Sequence, residues 1–470
     1  MTETIDILEN QVSSVIRHFE KILKVHPVNG PLRLSKDCSQ PNCETKCGDF
    51  VIPSEHLGAG FIYDDNGNIK SINESGRGLS ETDLVIYVGN DNTECAGNAW
   101  SMICEQDQYG RPIAILVNFC NITLEEDNFF DDFEIGLTLV QHEITHGLIM
   151  NKQLWDDFYD GNSSDNKRDP RTVYKYIDGS PYMIFDSIVQ YGRQHFGCIT
   201  IPGIQLDPPL YHWHGRTLNT ELMNDDRFYL YLTNFTLLLM EESGWYKPNY
   251  KYAKPFFYGK DRGCQFLDES CIDDNGISKW FEFFCDDIDS QGCLYDYSRT
   301  MNDCILYDDY NSIPLPFRYF NKPNIGGPKQ TDYCPIYDPA SSLLCVNALT
   351  EEEYYQYGLI DKEILDTEDN LLISDAFGLP NSRCINAVLD DGEYAQNRGY
   401  CFEIDCQKFD ADAGIFTEVK IFVSGDEDEP GIVCTLEDEG GWIDVSLDSR
   451  GNDFEIQCPQ IDVICRGQNP

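Results

Sequence analysis

Two histidines four residues apart, with a glutamate directly after the first, open the case for chemistry in this chain: His142-Glu143-Ile144-Thr145-His146. On a helix, residues i and i+4 share a face, so both imidazoles can reach one metal ion. Glu143 then projects toward a water held by that ion and is the candidate proton acceptor. With only 8 histidines in the chain, an accidental HExxH is expected on the order of 1 time in 100.

A hydrolytic zinc site needs three protein ligands and one open position. The compact pattern HExxHxxGxxH fails, because Ile149 stands at its glycine and Lys152 at its third histidine. The other histidines are His18, His26, His56, His195, His212 and His214. His212 lies in Tyr211-His212-Trp213-His214-Gly215-Arg216, ahead of Met223. A downstream carboxylate, Glu221, is the other kind of third ligand. Both ligand types suit zinc, so chemistry alone leaves His212, His214 and Glu221 open.

The elements that must position these residues follow from pattern. The HExxH stretch falls in a predicted helix from about Phe133 to Asn151, with Asp131 and Asp132 as N-caps. Leu84–Val88 and Ile113–Val117 are β-rich runs bounded by turn residues and read as strands. Ile5–Val25 carries an apolar stripe of helical period and ends at Pro27 and Gly30. A polar loop covers Asp156–Arg171, and Tyr174–Phe196 and Arg216–Glu242 have helical texture. From Cys264 onward the texture changes to turns and short strands, with 13 of the 20 cysteines. Three segments result: 1–150, 151–263 and 264–470, in line with about 150 residues per domain.

Composition narrows the function classes. Acidic residues outnumber basic ones by 81 to 34, a formal charge of −47. That balance excludes nucleic acid and disfavours an anionic membrane surface as partners. With 41% hydrophobic residues the chain can fill sizeable cores. No apolar run approaches the ~18–20 residues of a membrane span. Twenty cysteines suggest up to ten disulfides in an oxidising compartment. Met1–Asn10, with Glu3, Asp6 and Glu9, does not read as a signal peptide. The favoured expectation is therefore a targeting segment upstream of this chain; unconventional export and reduced thiols in a cytoplasmic form are the other readings. The C-terminal residues carry no hydrophobic anchor signal. Asn73, Asn121, Asn162 and Asn234 head N-x-S/T sequons, and acidic stretches such as Gly425–Glu429 read as solvated loops.

Taken with their spacing, these motifs resemble the leishmanolysin-type metallopeptidases of the metzincin clan. In that family the third histidine follows a long insertion, sits in a His-Trp pair, and precedes the Met-turn methionine by eleven residues. Here His212-Trp213 lies 66 residues beyond His146, and Met223 lies 11 beyond His212. Gln194-His195-Phe196-Gly197-Cys198, the segment Cys47–Pro53, Tyr333-Cys334-Pro335, Cys401 with Cys406, and Cys458-Pro459 with Cys465 extend the likeness nearly end to end. The chain departs from the family at Ile149, usually glycine, and at His214, usually acidic.

The resemblance implies an α+β fold: a metzincin-like N-terminal catalytic domain, a mixed central domain that completes the zinc site, and a cysteine-rich, mainly β and loop C-terminal domain. It implies one zinc per chain on His142, His146 and His212, with Glu143 as general base and Met223 as the floor beneath the metal. A peptide substrate is expected to add as a strand along Ile113, Ala114, Ile115, Leu116 and Val117, read as an edge strand. The implied protein is a monomeric endopeptidase of protein substrates, outside the cell or at its surface. The competing reading is a zinc glycoprotein of impaired activity that serves in adhesion. His214 is expected to point away from the metal into solvent.

Overall fold

The computed structural model describes residues 2–39, 42–64, 66–91, 95, 97–120, 133–160, 167–225, 230–338, 341–348, 376–390, 395–423, 431–446 and 453–466. Asp131, Asp132, Asn121, Asn162 and the stretch Gly425–Glu429 lie outside the described residues. Helix and sheet are mixed, and the chain forms two compact units. The first is Met1–Phe256 with Lys260–Cys264; the second is Phe257–Gly259 with Gln265–Pro470.

In the first unit, helix α1 (Thr2–Ile22) buries Leu8, Gln11, Val15, Phe19 and Ile22, a stripe of helical period. A three-stranded sheet follows: β1 (Val85–Gly89), β2 (Ala99–Gln106) and β3 (Pro112–Phe119). Its order is β1-β3-β2, with β3 parallel to β1 and antiparallel to β2. Ile113–Val117 is therefore the middle of the sheet, not an edge, and its main chain is hydrogen-bonded on both sides. Every residue of β3 is buried. An unbroken apolar run without alternation is what a strand covered on both faces requires.

Helix α2 (Phe133–Leu148) packs between α1 and this sheet. Two glycines make the approach possible. A Cβ on Gly136 would stand 2.1 Å from Gln11 Nε2, and one on Gly147 would stand 2.8 Å from Ile115 Cδ1 and 3.0 Å from Ser101 Oγ. The far face of the sheet closes on Leu32, Leu34, Ile52 and Leu57, and Cys47–Cys104 ties that layer to β2.

α2 stops at Leu148 rather than Asn151. The N–H groups of Ile149 and Met150 both donate to the Thr145 carbonyl, at 2.9 and 3.1 Å. A short helix, α3 (Lys152–Trp155), then starts with the Asn151 side chain accepting from Gln153 N–H. Ile149 is wholly buried at this exit and is not among the residues of positive φ, so the turn is made without the family's glycine.

Tyr174–Phe196 is not one helix. It forms a hairpin, β4 (Tyr174–Ile177) and β5 (Ser180–Met183), then α4 (Asp186–Phe196). Asp178 and Gly179 at the hairpin tip have φ of 50° and 90°, the geometry that a two-residue Asp-Gly turn favours. Of Arg216–Glu242, only α5 (Asn234–Glu242) is helical among the described residues. The Asn234 sequon lies in that helix with its Oδ1 buried, whereas Asn73 is exposed.

The second unit is built on a six-stranded antiparallel sheet: β6 (Ser382–Asp390), β7 (Ala395–Asp410), β8 (Ile415–Phe422), β9 (Ile432–Thr435), β10 (Trp442–Ser446) and β11 (Asp453–Gln457). Its order is β9-β8-β7-β6-β11-β10. Ile385, Tyr400, Phe402, Val419 and Ile456 fill one face together with Ile461 and Ile464. All 20 cysteines are paired in ten disulfides, four in the first unit and six in the second. Long helices are absent from the described residues of this unit, and disulfides staple its loops.

Candidate metal centre

α2 delivers His142 and His146 from one face, and the segment after β5 and α4 returns His212 to them. His146 Nε2 lies 2.9 Å from His142 Nε2 and 3.1 Å from His212 Nε2. The ligand atoms of all three lie within 4.8 Å of one another. Nitrogens bound at 2.0–2.1 Å around a tetrahedral zinc would be about 3.3 Å apart, close to this spacing.

The opposite ring nitrogens decide what the converging ones can be. His142 Nδ1 is 2.6 Å from the Leu222 carbonyl and His146 Nδ1 is 2.8 Å from the Met150 carbonyl. A carbonyl only accepts, so both Nδ1 atoms carry the proton and donate it. His212 Nδ1 likewise faces the Asp207 carboxylate at 3.0 Å. In the neutral rings all three Nε2 atoms are then bare lone pairs aimed at one point. Protonation of His142 or His146 does not relieve them. Burial, with His212 nearby, holds His142 down at about 3, and burial with both neighbours holds His146 well below the usual imidazole range. Three lone pairs facing each other repel unless a cation lies between them, and three imidazoles suit zinc.

Glu143, the residue after His142, is buried, and among the described residues its Oε2 has no hydrogen-bond partner. Burial pushes its carboxyl up to about 8. A buried carboxylate with a free lone pair is unstable unless something polar comes to it, and a reacting water is such a group.

Asp207, which sequence reasoning missed, orders His212. Its Oδ1 accepts the N–H groups of Tyr211 and His212 at 3.0 and 3.1 Å, while Oδ2 takes His212 Nδ1. The signal was present as Asp207-Pro208-Pro209, a turn opener whose carboxylate caps the residues that follow.

The alternative ligands fall elsewhere. Glu221 is wholly buried and its carboxylate is occupied by Met223 N–H at 2.7 Å and by the Thr233 hydroxyl at 3.0 Å. Burial pushes it up to about 7, and its donors pull in the other direction. His214 is buried, not solvated, and its Nδ1 accepts the Arg216 N–H at 3.3 Å. Met223 is fully buried, and its carbonyl accepts the Trp213 N–H at 2.8 Å, which links it to the third ligand's neighbour. His195 sits buried against the rings of Phe196, Phe235 and Phe256.

Comparison with known proteins points the same way. The family model described as leishmanolysin matches residues 5–467. A leishmanolysin-like peptidase of Caenorhabditis elegans is 27% identical over 403 residues, covering 68% of this chain and 60% of that protein. A leishmanolysin homolog of Crithidia fasciculata is 27% identical over 342 residues, covering 71% of this chain and 47% of its own. Leishmanolysin of Leishmania major is 24% identical over 478 residues, covering 98% of this chain and 68% of its own. The chain thus spans about half to two thirds of the length of these relatives.

Proposed function

Because the chain belongs to the leishmanolysin family, we propose that it is a zinc-dependent endopeptidase with a metzincin-type catalytic unit. The observation that carries this reading is the convergence of the Nε2 atoms of His142, His146 and His212, with the buried Glu143 next to His142 in sequence. His142, His146 and His212 would hold one zinc per chain. When bound, zinc polarises the scissile carbonyl and lowers the pKa of a water from 15.7 to about 7.

The protein's own groups do the rest. Glu143 accepts the water proton at its free carboxylate oxygen and returns it to the leaving amine nitrogen. Burial raises its carboxyl above the usual carboxylate range, which strengthens it as a proton acceptor. Asp207, Leu222 and Met150 hold the three rings so that their Nε2 atoms stay aimed inward. Met223 provides the packed floor of the site.

The substrate strand is reassigned. With β3 in the middle of the sheet, the outer strand beside α2 is β2, and a peptide would pair along Ala99–Gln106. The charge of −47 favours neutral or basic protein substrates. Ten disulfides fit a protein that works in an oxidising compartment, outside the cell or at its surface. The binding-glycoprotein reading has less support, since His142, His146 and His212 converge as a metal site would and Glu143 is retained.

The test is zinc content together with cleavage of denatured casein. The proposal expects one zinc per chain and cleavage stopped by a chelator and restored by zinc. A folded chain that carries zinc and cuts nothing would overturn the endopeptidase reading.

A further inference from the structure

Glu221 has no place in the chemistry above, yet it is a fully buried carboxylate at a junction of three segments. Its Oε2 accepts Met223 N–H at 2.7 Å, and its Oε1 accepts the Thr233 N–H and hydroxyl at 3.3 and 3.0 Å. The Thr236 hydroxyl also donates to it. Thr236 Oγ1 in turn accepts the indole N–H of Trp213 at 3.0 Å. The carboxylate therefore fixes the loop whose next residue, Leu222, presents its carbonyl to His142 Nδ1 at 2.6 Å. Through Thr236 it also grips the residue after His212.

We propose that Glu221 is a positioning residue of the metal centre, which holds the Leu222 carbonyl on His142 and the Trp213 ring behind His212 through one buried carboxylate. The inference rests on the zinc reading above. Loop 216–225 has no helix or regular strand of its own and is held by single bridges, Glu221 to Tyr231 and Trp213 to Asn224, with the Glu221 carboxylate between them. Without the Glu221 carboxylate, the buried donors of Met223, Thr233 and Thr236 lose their acceptor, and the Leu222 carbonyl is held to His142 only by the remaining backbone bond of Leu222 N–H to the Tyr231 carbonyl at 2.7 Å. The His142 ring would then lose the bond that sets its tautomer and its aim.

Glutamine is the sharp substitution. It keeps the volume but has one acceptor oxygen where the glutamate uses two, so either Met223 N–H or the Thr233 pair must face an amide NH2. The experiment measures zinc affinity of the full chain by chelator competition, with circular dichroism and Tm of the zinc-free protein alongside. Absorption of the cobalt-substituted protein reports ligand geometry. Wild type, Glu221→Gln, Thr236→Val and His212→Ala are compared.

The expected result is zinc binding weakened about 10- to 100-fold in Glu221→Gln, with a changed cobalt spectrum. Thr236→Val should weaken binding several-fold in the same direction. A purely structural role predicts a lower Tm with zinc affinity and cobalt spectrum unchanged in the folded molecules, and that result overturns the inference. If Glu221→Gln does not fold, Thr236→Val decides, and wild-type zinc affinity there overturns it equally. A wild-type chain that binds no zinc overturns the endopeptidase reading and this inference together. Normal zinc binding in wild type, lost in His212→Ala but matched by the Glu221 and Thr236 variants, overturns this inference alone.

Discussion

Asp207 Oδ2 lies 3.0 Å from His212 Nδ1, while Oδ1 of the same carboxylate takes the main-chain N–H of His212. One side chain thus fixes both the backbone and the ring of the only proposed zinc ligand that does not come from α2. A carboxylate behind an imidazole sets its tautomer and raises its basicity as a ligand. Asp207→Asn can keep the backbone bonds but loses the charge. Zinc affinity, measured by chelator competition, should fall about 10- to 100-fold. Asp207→Ala should fall further, because the turn loses its cap as well.

Glu143→Gln separates binding from chemistry. The amide preserves the shape of the side chain and leaves the three imidazoles themselves unchanged. Zinc content should be unchanged, while casein cleavage falls by at least ~10²-fold, the usual contribution of a general base. Metal analysis and kcat on one preparation check both halves.

Gly147→Ala tests how closely α2 lies on the sheet. Alanine gains about 0.5–1 kcal/mol of helix preference over glycine. Against this, its Cβ would meet Ile115 Cδ1 at 2.8 Å, Ser101 Oγ at 3.0 Å and Ile115 Cγ2 at 3.1 Å. Ile115 is wholly buried in the middle strand and has nowhere to go. Overpacking of this kind costs about 1–3 kcal/mol, so the net effect should be destabilising by roughly 1–2 kcal/mol. Chemical denaturation would show it, and weaker zinc binding should accompany it because His146 is the adjacent residue.

The disulfide Cys198–Cys264 spans 66 residues that include His212, Met223 and Glu221. Replacing both cysteines by serine should cost about 2–5 kcal/mol. The denaturation midpoint should fall, and the zinc-free protein should lose more than the zinc-bound one, because the metal cross-links the same stretch to α2.

Much of this site was legible because HExxH on a helix is a local pattern: spacing alone puts two rings on one face. His212 and Met223 came through resemblance, and the geometry that joins His212 to α2 is non-local. What failed has a common physical cause. Ile113–Val117 is apolar on both faces, which fixes that it is covered but not which strands cover its edges. Arg216–Glu242 has helical composition, yet its first part is held in turns by a carboxylate, Glu221, whose partners lie as far as 15 residues away. Tyr174–Phe196 was misread although Asp178-Gly179 announced the hairpin. The α2 exit needed no glycine because Ile149 and Met150 share the Thr145 carbonyl, a detail that depends on Ile149 finding a buried site.

The account stands most directly on the metal and its three nitrogens. X-ray absorption at the zinc edge, on wild type and on His212→Ala, reads both at once. Wild type should hold one zinc per chain with three imidazole nitrogens at about 2.0–2.1 Å, and His212→Ala should lose its bound zinc. Zinc held with full occupancy in His212→Ala, or a wild-type spectrum with carboxylate oxygen in place of the third imidazole, would contradict it.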